Sequence, residues 1–90
     1  MVKIKRFDDD KFFEAVEQGK IQDKYKPRFI SESQLTELVN LYHTARIALS
    51  GKNDSKYNRM LWACDIFHKK YLDISTTAAY KDLSACLEGY

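Results

Sequence analysis

Ile30-Ser31-Glu32-Ser33-Gln34-Leu35, continued by Leu38, Val39, Tyr42, Ala45 and Leu49, is the stretch that decides the fold. Ser31 and Gln34 stand in the capping-box spacing. The hydroxyl of the cap accepts from a backbone N–H three residues on, and the Gln34 side chain reaches back to the backbone N–H of Ser31. Ile30 before the cap and Leu35 after it are placed as a hydrophobic staple. The apolar residues that follow recur at i, i+3, i+4 and i+7, which is the signature of a helix with a buried face. Leu41 and Ile47 fall off that stripe, so the helix is apolar over more than one narrow face. Gly51 ends it, and Lys52-Asn53-Asp54 forms the turn.

A third helix is expected from about Ser55 to Tyr71. Tyr57, Met60, Leu61, Cys64, Phe67 and Tyr71 make its main stripe, widened by Trp62, Ala63 and Ile66, which points to a central position. The expected core is Leu38, Tyr42, Leu61, Cys64, Phe67 and Leu83. On that reading Leu61→Ala would cost about 2–5 kcal/mol, as for other buried leucines. Leu72-Asp73-Ile74 is a short connection, and Ser75 caps a fourth helix carrying Ala79, Leu83, Cys86 and Leu87, closed by Gly89.

Toward the start of the chain, Asp8-Asp9-Asp10 suits the positive end of a short helix. Phe12, Phe13 and Val16 give it an apolar face, with Ala15 beside them and Gly19 as the stop. Residues 1–7 alternate apolar and basic, as a short extended arm does. Residues 20–30 are basic and aromatic, and Pro27 disfavours helix at Lys26. They are expected to form a loop that packs Phe29 and Ile30 on the core. The fold class is therefore all-α: a compact bundle of about four helices, one short and three longer, with a short extended N-terminal arm. Residues 1–90 form a single domain.

The chain has 90 residues, a formal net charge of +2 and only three glycines and one proline. With 44% hydrophobic and 31% charged residues it has the composition of a folded globule rather than a disordered tail. No apolar run approaches the ~18–20 residues of a membrane span, and the start lacks the plan of a signal peptide. A chain of this size buries only about 60–65% of its unfolded surface. That leaves little room for a deep catalytic pocket, and a homo-oligomer would bury more. Two cysteines, Cys64 and Cys86, cannot make a disulfide scaffold, and reduced thiols fit a cytoplasmic protein.

Residues 66–87 resemble a helix-turn-helix DNA-binding segment. Ile74-Ser75-Thr76-Thr77-Ala78-Ala79-Tyr80-Lys81-Asp82-Leu83 is similar to the start of a recognition helix: an apolar turn residue, a Ser cap, a polar pair, small residues, an aromatic, a basic residue and Leu. The resemblance implies that Ser75, Thr76, Thr77, Tyr80 and Lys81 lie nearest DNA, with the cap and early hydroxyls at phosphates. The chain departs from the pattern in two places. His68 or Lys69 stands where such motifs carry a small residue, and Leu72-Asp73 replaces the glycine of the turn.

Other constellations point less far. Cys64 and His68 share a helix face, and with Cys86 they would make a three-ligand zinc set. Both cysteines also lie in apolar stripes, where a free Cys behaves as a small buried hydrophobe. His43 lies beside Tyr42, three residues from Arg46. The aspartate run lacks the spacing and glycine of a calcium loop. No phosphate loop or nucleophile elbow is present, so neither enzyme activity nor a cofactor or metal is expected.

Two functional expectations follow. The first is a non-catalytic regulator, adaptor or inhibitor that binds a protein partner, in the style of phage and mobile-element accessory proteins. Its contact residues would be Tyr25, Lys26 and Arg28, since basic residues around an aromatic hold an acidic protein surface or a phosphate backbone. Surplus aromatics support it, because Phe7, Tyr25, Trp62, Tyr80 and Tyr90 cannot all be central. The second is a small DNA-binding regulator using residues 75–88. The basic loop lies far from the last helix along the chain and is expected not to share its register on DNA.

Overall fold

The computed structural model of the protein describes residues 10–21, 25–51 and 53–89. Among them are four helices and no strand: α1 (Asp10–Glu17), α2 (Glu32–Leu49), α3 (Lys56–Lys70) and α4 (Thr76–Glu88). The fold is all-α, as the periodicity requires. The 1–7 arm, with Phe7, and also Asp8, Asp9 and Tyr90 lie outside the described residues.

Each helix starts or stops for a local reason. Ser31 caps α2 in a complete capping box: Gln34 N donates to Ser31 Oγ at 3.1 Å and Ser31 N donates to Gln34 Oε1 at 2.9 Å. Ser55 caps α3 and Ser75 caps α4 by accepting from Asn58 N and Ala78 N. After α1, Gly19 takes φ +69°. Gly19 N then donates to Val16 O and Lys20 N to Ala15 O, the paired bonds of a Schellman stop, which needs a residue in the left-handed region.

α2 and α3 make the broadest pairing, α4 packs on α3 and the edge of α2, and α1 leans on α2. One cluster fills the space between them, with Leu35, Leu38, Tyr42, Ala63, Ala79, Leu83 and Cys86 fully buried. Tyr42 meets Phe12 edge-on at 5.6 Å. Phe13 is stacked on the His43 ring at 4.4 Å, and the Arg46 guanidinium also lies over it at 5.2 Å. These aromatic contacts fasten the short α1, which could not persist alone at eight residues.

Three details correct the sequence reading. Leu61 is 43% exposed and Tyr57 59% exposed. The buried residues of α3 are Met60, Ala63, Cys64 and Phe67, a face roughly a third of a turn from Leu61 at 3.6 residues per turn. Ala63 takes the inward place, where its small side chain lets a neighbouring helix approach. Phe29, expected against the core, is 51% exposed, whereas Ile30 is buried. Ile21, in the same basic stretch, is buried at 3% exposure.

The turn between α3 and α4 has no glycine. Ile74 N donates to Tyr71 O at 3.1 Å, and His68 Nδ1 lies 2.7 Å from Ile74 O. A carbonyl only accepts, so Nδ1 carries the proton and the tautomer is fixed. His68 thus braces the turn.

Candidate binding surface

Asp82 lies on the inward face of α4, three residues after Ala79 and next to Leu83, and is fully buried. A buried carboxylate is costly unless hydrogen-bonded, and this one is saturated. Its Oδ1 accepts from Tyr25 Oη at 2.6 Å and from Arg28 N at 2.8 Å. Its Oδ2 accepts from Phe29 N at 2.7 Å and Ile30 N at 3.1 Å. Three successive backbone N–H groups make an anion-binding concavity, and the chain fills it with its own side chain.

The consequence lies on the outside. With the N–H groups of residues 28–30 turned in, Arg28 and Phe29 present their side chains to solvent while Ile30 is buried. Lys81, next to Asp82 on α4, places Nζ 5.7 Å from the centre of the Phe29 ring, within cation–π range. The loop and the last helix therefore form one surface. Although 52 to 57 residues of chain separate the partners, Asp82 brings loop and helix into contact.

The residues singled out from sequence divide accordingly. Tyr25 is half-buried, and its hydroxyl serves Asp82. Burial and the bond to Asp82 push its phenol up to about 12. Lys26 is paired with Glu32 at 2.9 Å on the surface. Arg28 and Lys81 have no carboxylate partner among the described residues. Ser75, Thr76 and Thr77 are exposed at the start of α4, with Ser75 Oγ engaged as the cap. Tyr80 is half-buried and meets Tyr57 edge-on at 6.3 Å. Trp62 is also half-buried against the core.

The thiols belong to the interior. Burial pushes both Cys64 and Cys86 up to about 12, with the Asp82 charge adding to the effect at Cys86. Thiols held protonated to that degree are poor nucleophiles and poor metal ligands at neutral pH. Among the described residues no group of three His, Cys, Asp or Glu side chains is arranged to hold a metal ion.

A separate groove of about 300 Å³ runs between α2 and α3, lined by Leu41, Thr44, Ile66 and Phe67 among others. Glu37 and Lys70 close one part of it, 2.7 Å apart, and Tyr71 Oη also donates to Glu37 at 2.5 Å. No described helix is long and apolar enough to cross a membrane.

Asp82 is the residue that sequence reasoning missed. Its spacing from Ala79, Leu83 and Cys86 puts an acid on an apolar face, and that mismatch was the available signal. Comparison with known proteins finds no matching family model, no matching curated protein and no matching solved structure.

Proposed function

We propose that the protein is a non-catalytic binding domain, acting as a regulator, adaptor or inhibitor of a protein partner. The contact face is the 25–30 loop together with the exposed start of α4. One observation carries this reading: Asp82 pins three consecutive backbone amides, so a half-exposed Phe29 and an exposed Arg28 are held in place before any partner arrives. Ordering a loop on binding opposes association, and a loop already ordered avoids that cost. Exposed aromatic and Arg side chains are also enriched in protein interfaces. Tyr25 then acts by positioning the loop, and Lys26 sits at the rim with Glu32. Two unpaired buried thiols suit a reducing compartment such as the cytoplasm.

A second reading, a small DNA-binding regulator, is favoured by Thr76, Thr77 and Lys81, exposed together at the start of α4. The experiment that separates the two is site-directed photo-crosslinking in cells, with a photoreactive phenylalanine analogue at position 29 and, as control, at position 47. Ile47 is 75% exposed and sits on α2. Protein binding predicts a nuclease-resistant crosslinked protein from position 29 and none from position 47. A crosslink only to nucleic acid selects the DNA reading.

A further inference from the structure

We infer that the Arg28–Phe29–Lys81 surface takes an acidic protein segment that carries an aromatic or apolar side chain among its carboxylates. This rests on the protein-binding reading and adds the chemistry of the partner.

Charge makes the first part of the case. Lys26 at the rim of this face, and Arg59, Lys69 and Lys70 elsewhere, each have a carboxylate partner. Arg28 and Lys81 have none among the described residues, although Asp82 lies beside both. The reason is geometric: a carboxylate offers about four lone-pair sites, and all four of Asp82 are used by Tyr25 and the three amides. Asp82 thus builds the surface without satisfying its cations. The first turn of α4 contains no acidic residue, so the partial positive charge of that helix end is also left uncompensated by the helix's own side chains.

Shape makes the second part. Phe29 follows the exposed Arg28 in the chain and has half its surface in water, and Lys81 accounts for one approach to its ring. The remaining apolar area offers a contact that pure charge would not use. Carboxylates flanking an aromatic or apolar side chain match both features. A nucleic-acid backbone matches them less well, since a binder making about 6–10 phosphate contacts relies on as many cations, and among the described residues this surface rests on two, Arg28 and Lys81.

The probe is a random copolymer of glutamate and tyrosine, compared by fluorescence anisotropy with poly-glutamate of the same length and with a 20-base-pair duplex. The copolymer should bind tightest. Arg28→Ala and Lys81→Ala should each weaken it by about two- to fivefold, the range of one exposed ion pair. Phe29→Ala should cost about tenfold, as for a central aromatic contact, and erase the preference over poly-glutamate. Lys69→Ala, a cation already paired with Asp65 on α3, should change nothing. Circular dichroism of each variant verifies that it is folded. Equal binding of the two polymers, insensitivity to Phe29→Ala, or tighter binding of the duplex overturns the inference. A position-29 crosslink to a protein lacking an acidic segment overturns it alone and leaves the protein-binding reading standing. Absence of any position-29 crosslink defeats that reading first.

Discussion

Tyr25 and Asp82 are 57 residues apart in the chain and joined by a 2.6 Å hydrogen bond. With the amides of residues 28–30 on the same carboxylate, this bond makes the conformation of the loop before α2 depend on a side chain of the last helix. Local sequence alone does not hold that loop. It is held by an anion supplied from elsewhere in the fold.

Asp82→Asn should therefore be among the most damaging near-isosteric substitutions in the protein. Whichever way the amide is turned, its NH2 faces backbone donors or Tyr25, and buried donors lose their acceptor. At about 1–3 kcal/mol per orphaned buried donor, a loss of about 2–4 kcal/mol is expected. Tyr25→Phe removes one bond and leaves three, so it should cost about 1 kcal/mol. Urea denaturation of both variants checks the order, and equal losses would show that the hydroxyl and not the amides dominates.

Leu61 and Leu83 give a test of helix orientation. Leu83 is fully buried and Leu61 is 43% exposed. Leu83→Ala should cost about 2–5 kcal/mol, whereas Leu61→Ala should stay within about 0.5 kcal/mol, as surface changes do. A large loss at Leu61 would mean that α3 is rotated toward the Tyr57–Leu61 face.

How much of this was legible in the sequence depends on the range of the interaction. The capping box at Ser31 and Gln34, the Ser75 cap and the Gly19 stop are local, and their spacing alone revealed them. The face of α3 was harder. Large apolar residues at Tyr57 and Leu61 outweighed Ala63 in a reading by side-chain size, although close helix packing favours the small residue. The Asp82 cluster is non-local: its partners are 52 or more residues away. The one local signal, an acid on an apolar face, went unused in the sequence reading. The position of Phe29 could not be read without it, because which side of a loop faces water is set by where its N–H groups are satisfied.

Alkaline pH should destabilise the fold through groups that are held neutral. Cys64, Cys86 and Tyr25 are each raised to about 12, from 9.0 for the thiols and 10.0 for the phenol. In the unfolded chain they ionise first, so their contribution is intact below about pH 9 and is lost as pH rises toward 12. Denaturation midpoints measured from pH 7 to 11 should hold and then fall. The drop should be shallower in Cys64→Ala relative to that variant's own neutral value, with Cys86 keeping its onset near pH 9, and a flat profile in the unsubstituted protein would contradict the burial of these groups.

At the acid end the sensitive group is Glu37. Hydrogen bonds from Lys70 and then Tyr71 hold its carboxyl below the ordinary value of 4.5. A lowered carboxyl stabilises the fold above its unfolded value and ceases to do so as pH falls through the folded one. Stability should decline modestly below pH 4.5, and Glu37→Gln should remove part of that decline while weakening the link between α2 and the end of α3. Melting curves at pH 6 and pH 3.5 test this. An unchanged difference in Glu37→Gln would assign the acid limb to other carboxyls.

The last prediction concerns Phe29 and Lys81, whose side chains meet across the junction of loop and helix. A cation about 6 Å from a ring centre at an exposed site contributes about 0.5–1 kcal/mol. Phe29→Ala and Lys81→Ala should therefore be non-additive in stability, with a coupling of that size in a double-mutant cycle. The two residues lie 52 positions apart in sequence, so additivity would be the expectation from the chain alone. Coupling also has a functional reading. If loop and helix form one contact face, the same two substitutions should couple in partner affinity, whereas a recognition helix acting alone would leave Phe29→Ala without effect on binding. Measuring the cycle in both stability and affinity separates the cases. Coupling in stability but not in affinity would mean that the contact is structural and that the partner docks elsewhere.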